Sequence, residues 1–249
     1  MTNPATHQSP GWKELASALQ GTLHLSSPPI AISFGDERPE GVDRFDAPLS
    51  EPSDDGRRGR VPAGCVFWMR AAERTFSTVA EDHGNCSVGS VTHGLRTLEE
   101  IAGHDDVRTL LESGWVTTEA VASLPVVTSR PASVTYGPLG GDAAAPDPDV
   151  VLLRVNPRQL MVLSDALDGL RIEGKPQCHI VAVAKEQGEI AASVGCALSR
   201  ARTGMPPEEM TVAIPAWRLP EVVDAVVRTA EVDTVVAKYA AVDARRFSA

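Results

Sequence analysis

Two stretches of the sequence resemble each other, and each is followed by two cysteines. Residues 29–35 read Pro-Ile-Ala-Ile-Ser-Phe-Gly and residues 131–137 read Pro-Ala-Ser-Val-Thr-Tyr-Gly, so they match in residue class at every position. Their alternation of apolar and polar residues is typical of half-buried strands. Cys65 and Cys86 follow the first stretch, and Cys178 and Cys196 follow the second. We therefore predict an internal duplication, with halves at about 12–125 and 126–249 and with 30–34 and 134–136 as equivalent strands.

The remaining periodicity predicts further helices and strands. Apolar residues at every third or fourth position predict helices over 12–23 and from 219 onward. Short apolar runs predict strands at 149–155 and 210–214, and strands or buried segments at 178–185 and 189–194. We therefore predict an α+β fold, or alternatively an α/β fold, with mixed sheets flanked by helices around one site. Residues 1–11 are expected to be disordered and residues 12–249 to form a single domain.

Residues 36–62 form a polar stretch that is rich in proline and glycine. The stretch shows neither a helical nor a strand period that would give it a face to bury. Loops of this length often act as covers over sites. We predict a mobile cover beside the site rather than a part of the core.

The charge balance excludes several classes of partner. Lys and Arg number 23 and Asp and Glu 33, which gives a net charge of −10, and no basic block occurs. Sequence-independent binding to nucleic acid or to anionic lipid is therefore not expected. The apolar runs are too short to cross a membrane, and the N-terminal residues resemble no secretory signal. We expect a cytoplasmic protein.

The four cysteines carry the main functional signal. They contain no CxxC pair, so no local zinc ribbon or thioredoxin motif is present. A duplication would bring equivalent residues together at a pseudo-two-fold axis, and four thiolates suit zinc or an iron–sulfur cluster. We predict that Cys65, Cys86, Cys178 and Cys196 meet at one site and bind a [4Fe–4S] cluster, with zinc or haem as alternatives. The simpler interpretation is four cysteines that only pack in the core.

Two polar residues near the cysteines are candidates for catalysis. His83 precedes Cys86 by three residues, and Arg200 follows Cys196 by four. We expect His83 and Arg200 to face the substrate or to support the cysteine site, since an arginine can clamp a carboxylate. The commoner roles of such residues are those of an ordinary loop histidine and of a solvated helix arginine.

Several motifs together resemble those of one family. They are 28–34 (Pro-Pro-Ile-Ala-Ile-Ser-Phe), 83–89 (His-Gly-Asn-Cys-Ser-Val-Gly), 148–152 (Pro-Asp-Val-Val-Leu), 156–161 (Asn-Pro-Arg-Gln-Leu-Met) and 193–196 (Ser-Val-Gly-Cys). With these motifs the chain resembles the DUF169 (ArCR) proteins of bacteria and archaea over roughly residues 12–230. The resemblance implies no particular reaction, because the family name assigns none.

Three functions are compatible with these residues. The first is an iron–sulfur enzyme that acts on a small molecule by redox, sulfur-transfer or Lewis-acid chemistry, in specialised metabolism and with a redox or sulfur-donor partner. The second is a non-catalytic carrier or sensor that binds a metal, haem or small ligand at the same place. The third is a metal-free enzyme with Cys86 or Cys196 as nucleophile, since a thiol near a helix N-terminus has a lowered pKa. Each of these functions is compatible with a homo-oligomer.

Overall fold

The computed structural model describes residues 11–46, 64–84 and 86–247. The α-helices are α1 (Trp12–Leu23), α2 (Gly64–Arg70), α3 (Ser87–Thr92), α4 (Leu98–Ile101), α5 (Asp105–Glu112), α6 (Thr118–Ala122), α7 (Pro157–Ala166), α8 (Ile180–Ala182), α9 (Ala197–Thr203) and α10 (Leu219–Phe247). The strands are β1 (Ile30–Gly35), β2 (Phe76–Thr78), β3 (Ser133–Pro138), β4 (Val150–Val155), β5 (Arg171–Glu173), β6 (Ala191–Ser193) and β7 (Met210–Pro215).

The strands form one seven-stranded sheet in the order β2-β3-β1-β4-β7-β6-β5. All neighbours are antiparallel except β5 and β6, which run parallel. The sheet is therefore mixed, and the helices pack on its two faces rather than serving only as crossovers between parallel strands. The predicted α+β class is confirmed.

The predicted equivalence of strands 30–34 and 134–136 is not confirmed. These segments belong to β1 and β3, which are direct antiparallel neighbours with Ile32 opposite Tyr136. The predicted duplication, with halves at about 12–125 and 126–249, is therefore not confirmed. The run β1–α2–β2–α3–β3 has the same element order as β4–α8–β6–α9–β7, apart from inserted elements, and β1 and β4 meet at the middle of the sheet.

Side chains of opposite strand faces divide the core into two layers. Leu153 and Ile214 point to the layer that α1, α7 and α10 cover, whereas Leu152 and Ala213 point to the layer that holds α2 and α8. This alternation is the period of two that strands impose. The second layer also contains Cys65 and Cys178, so the cysteines lie on one face of the sheet.

Residues 178–185 are buried as expected, but they are helical: a 3₁₀ turn (Gln177–His179), α8 and a π-helical turn (Val183–Gln187). Their apolar run was equally compatible with a strand, because periodicity alone does not separate short buried elements.

The stretch 36–62 was expected to lie outside the core, and for its described part this is wrong. Val42 and Phe45 are buried at 2% and 7% exposure, and the Phe45 ring packs edge-on against Phe67 with centroids 4.8 Å apart. An isolated parallel β-bridge also pairs Arg44 with Ser77 of β2. Two apolar residues thus suffice to anchor a polar loop. Residues 47–62 and 1–10 lie outside the described residues.

No helix within the described ranges is long and apolar enough to cross a membrane.

Candidate functional site

All four cysteines line one cavity. Cys65, Cys86, Cys178 and Cys196 share it with mostly apolar side chains from α3, α5, α6 and α9. Its volume is about 50 Å³, several times the roughly 10–15 Å³ that a single water needs. None of the four cysteines is joined in a disulfide. This cavity, called here the cysteine cavity, therefore brings the four free thiols together.

The fold delivers these cysteines in two matching ways. Cys65 is the second residue of α2, and Cys178 lies in the 3₁₀ turn that leads into α8. Cys86 and Cys196 are the N-cap residues of α3 and α9. The segment from β1 to β3 and the segment from β4 to β7 thus each contribute one cysteine at the start of a buried helix and one at a helix N-cap.

Gly89 brings two of the sulfurs close together. A Cβ atom at this position would lie 3.1 Å from the Cys86 Sγ and 4.0 Å from the Cys178 Sγ. Those two sulfur atoms are therefore at most about 7 Å apart. A side chain larger than hydrogen at residue 89 would crowd both.

Burial keeps the two deepest thiols protonated. Burial raises the pKa of Cys65 and Cys178, and negative charge on Cys86 raises both further. The Gln177 amide opposes this for Cys65, because its Nε2 donates to the Cys65 Sγ at 2.9 Å. The mutual effect of these thiols on their pKa values indicates that charging one disfavours charging the next. A cation at the cavity would reverse that balance.

Gln177 carries an unpaired polar atom at the cavity wall. The residue is 1% exposed, and its Nε2 contacts both the Cys65 Sγ and the Met205 Sδ, the latter at 3.3 Å. Its Oε1 has no hydrogen-bond partner within the described part of the chain. Buried acceptors are normally satisfied, so this atom indicates space for a ligand or water.

A second polar group at the cavity had no signal in the sequence. Asp106 lines the cavity and accepts hydrogen bonds from the Ser87 backbone N–H at 3.0 Å and from the Ser87 Oγ at 2.7 Å. The Ser87 Oγ also lies 2.8 Å from the His104 Nδ1. Because these residues meet only through the packing of α5 on α3, no local motif could have predicted them.

The two predicted catalytic residues are not brought to the cavity. His83 is fully buried, 3.0 Å from the Thr78 Oγ1 through its Nε2, and its ring packs on Phe67. The Arg200 guanidinium donates to the backbone carbonyls of Val194, Pro207 and Glu209. Neither His83 nor Arg200 is among the residues that line the cysteine cavity. Arg200 instead braces the loop that presents Cys196.

Buried neutral histidines beside the site predict acid sensitivity. Burial lowers the pKa of His93 to about 4, partly offset by its hydrogen bond to the Gly89 carbonyl, and burial also lowers the pKa of His83. In the unfolded chain a histidine has a pKa of about 6.5, so below this pH the unfolded chain binds protons that the folded chain does not bind. We expect the free energy of unfolding to fall, for His93 on the order of 3 kcal/mol, as the pH drops from about 6.5 to 4.

Chemical denaturation at pH 7 and pH 5 measures this effect. His93→Asn, which retains a donor for the Gly89 carbonyl, should flatten the dependence, whereas His24→Asn at an exposed position should leave it unchanged. Equal pH dependence in wild type and His93→Asn would contradict the assignment.

The side chains of the described residues do not fit a single metal ion. Across residues 11–46, 64–84 and 86–247, no three His, Cys, Asp or Glu side chains are placed so that they could hold one metal ion. The four sulfurs therefore do not form a closed single-ion shell. They do offer soft donors around a common cavity, and an iron–sulfur cluster, being a larger body than one ion, takes its thiolates from more widely spaced positions.

Comparison with known proteins gives one match. The family model DUF169, described as uncharacterised ArCR, matches residues 18–225 of the 249. No curated protein and no solved structure matches the chain. The resemblance predicted from the motifs is confirmed.

Proposed function

We propose that this chain, which belongs to the DUF169 family, is an iron–sulfur protein that acts on a small molecule. Its ligands would be Cys65, Cys86, Cys178 and Cys196. The observation that carries the proposal is that these four residues, from four separate elements, line one cavity. When bound, a cluster supplies electron transfer, Lewis-acid or sulfur-transfer chemistry.

The raised pKa values of the cavity thiols make cofactor binding depend on pH. Cys65 and Cys178 have raised pKa values, so their thiols stay protonated near neutral pH without a cation. Binding of a metal centre would replace these protons, and its affinity would therefore rise with pH. The Gln177 N–H would remain as a donor to one ligand sulfur, which is a contact that tunes cluster potentials.

A thiol nucleophile is the second candidate. Cys86 is less buried than the other cysteines and lies at the N-cap of α3, beside Asp106 and Ser87. However, no Lys, Arg or His is among the described residues that line the cavity, and Asp106 is the only charged side chain there. A nearby cation or His usually lowers the pKa of a catalytic thiol, whereas the convergence of all four cysteines on one cavity favours the cluster.

The partners follow from the proposed chemistry. A cluster that turns over needs a small-molecule substrate and an electron or sulfur donor, and we propose both for this chain. We also propose a cytoplasmic setting, in which the thiols stay reduced before loading.

The test is anaerobic loading of the metal-free protein with separate probes. Ferrous iron with sulfide should produce the broad visible absorption of an iron–sulfur cluster, saturating with one cluster per chain. Zinc alone and haem alone form the comparison arms. A variant with all four cysteines replaced by Ser is the control, and equal absorption in that variant would overturn the proposal. Tight zinc binding without any cluster would replace it with a zinc site.

A further inference from the structure

An apolar chamber lies against the cysteine cavity. Helices α3 to α6 line a pocket of about 180 Å³ that is partly open to solvent and whose walls are aliphatic apart from Thr118. Four of its wall residues also line the cysteine cavity, namely Val88, Leu110, Val116 and Val121. The two spaces are thus separated by single side chains.

The chamber is lined mainly by helices that have no counterpart in the segment from β4 to β7. Between α3 and β3 the chain inserts α4, α5 and α6, whereas α9 leads to β7 through a short connection. Neither α5 nor α6 has a fully buried residue, so both helices rest on the chamber rather than on a filled core. An open apolar pocket leaves aliphatic surface in contact with water, and such surfaces mark ligand-binding grooves. A segment that forms one is better explained by a ligand than by stability.

The geometry points to this chamber as the binding site for the apolar part of the substrate, an uncharged aromatic ring or a short alkyl chain. This inference rests on the proposed function, because it makes the neighbouring cysteine cavity the place of reaction. An engineered apolar cavity of about 150 Å³ binds benzene, so the chamber has the volume and the lining for a group of that size. No charged side chain lines it within the described residues.

Benzene is a suitable probe, because it tests the chamber without any cluster. Titration of the metal-free protein, followed by NMR, should show saturable binding in the wild type. Val107→Phe fills the chamber from α5 and should weaken benzene binding at least tenfold. Val227→Phe on α10, at 40% exposure, is the matched control and should bind as the wild type does.

Two further readouts keep the outcomes separate. Ala102→Leu fills the same chamber from another helix and replaces Val107→Phe if that variant does not fold. Benzene should also slow alkylation of the cavity thiols by iodoacetamide in the wild type. If the wild type does not bind benzene, or if the filled variants bind it as the wild type does, the chamber is not a binding site. If benzene binds but does not slow alkylation of the thiols, the chamber is not linked to the cysteine cavity. Neither result depends on cluster loading, which both filled variants should retain.

A second inference comes from α10 and is independent of the site. The helix begins buried at Leu219, but its second half leaves large apolar side chains in solvent. These are Val232 (59% exposed), Val235 (51%), Val236 (56%), Tyr239 (67%), Val242 (43%) and Phe247 (83%). Four of them, Val232, Val235, Tyr239 and Val242, form one stripe. Their alternating spacing of three and four residues is that of the a and d positions of a coiled coil.

We infer that this half of α10 pairs antiparallel with the same segment of a second copy of the chain. In that register Val232 faces Val242 of the partner subunit, and Val235 faces Tyr239 of the partner subunit. Glu231 then lies opposite Arg245 of the partner subunit at both ends of the apolar seam, and these two attractive pairs outnumber the single pair of like charges that Lys238 makes at its middle. A symmetric dimer makes each of these contacts twice.

Analytical ultracentrifugation tests the pairing. The wild type should sediment as a dimer, Val235→Glu as a monomer, and Ala241→Glu, on the outer face, as a dimer. The single changes Glu231→Arg and Arg245→Glu should each weaken the dimer at least tenfold, and the double change should restore it. A monomeric wild type, or a double change that restores nothing, would overturn the antiparallel dimer.

Discussion

Replacing Cys86 with Ala is expected to abolish the binding of iron and sulfide while the protein stays folded. Negative charge on Cys86 raises the pKa of both Cys65 and Cys178, as charge on Cys196 also does, and the Cys86 and Cys178 sulfurs both lie near Gly89. The loss of Cys86 therefore removes a donor from the centre of the cavity. The same result is expected for Cys196→Ala, and the measurement is iron and sulfide content after anaerobic loading.

The control must separate lost ligands from lost stability. Val162→Ala removes a side chain at 7% exposure in the layer on the other side of the sheet. It should lower the free energy of unfolding by about 1–2 kcal/mol yet retain full loading. Normal loading of Cys86→Ala would remove this residue from the ligand set.

Gly195→Ala is expected to unfold the loop that presents Cys196. Residue 195 has a φ of +113°, and a Cβ there would lie 1.8 Å from the Arg200 Nη1. The guanidinium would have to leave the carbonyls of Val194 and Glu209, so backbone strain adds to lost hydrogen bonds. The expected cost is roughly 3–5 kcal/mol, measured by chemical denaturation, together with loss of cluster loading.

Gly204→Ala provides the comparison for this glycine. Residue 204 has a similar left-handed backbone at φ +72°, but no atom lies within 4 Å of its Cβ position. Its replacement should cost only about 1 kcal/mol, from the backbone alone. If both variants lose the same stability, the contact with Arg200 does not hold the loop.

The sequence predicted the elements better than it predicted their partners. Strand 30–34 and the helix over 12–23 follow from local periodicity, which depends on neighbouring residues. The equivalence of β1 with β3 rested on seven alternating residues. Strands in one sheet share such alternation whatever their topological place, so the match carried no information about connectivity.

The candidate site shows the same division. The repeated order of a strand followed by two cysteines led to the expectation that the cysteines meet, and all four line one cavity. His83 and Arg200 were chosen because they are close to cysteines in sequence. A few residues along a turn or a short helix change the direction of a side chain, so His83 points into the aromatic core and Arg200 to backbone carbonyls. Asp106 reaches the cavity from a distant helix.

The assignment of an iron–sulfur cluster is tested by the content of iron and acid-labile sulfide in the anaerobically purified wild-type chain, together with its Mössbauer spectrum. We expect four irons and four sulfides per chain and the spectrum of one [4Fe–4S] cluster. Iron and sulfide no higher than in the variant with all four cysteines replaced by Ser, in anaerobically loaded as well as purified protein, would contradict it.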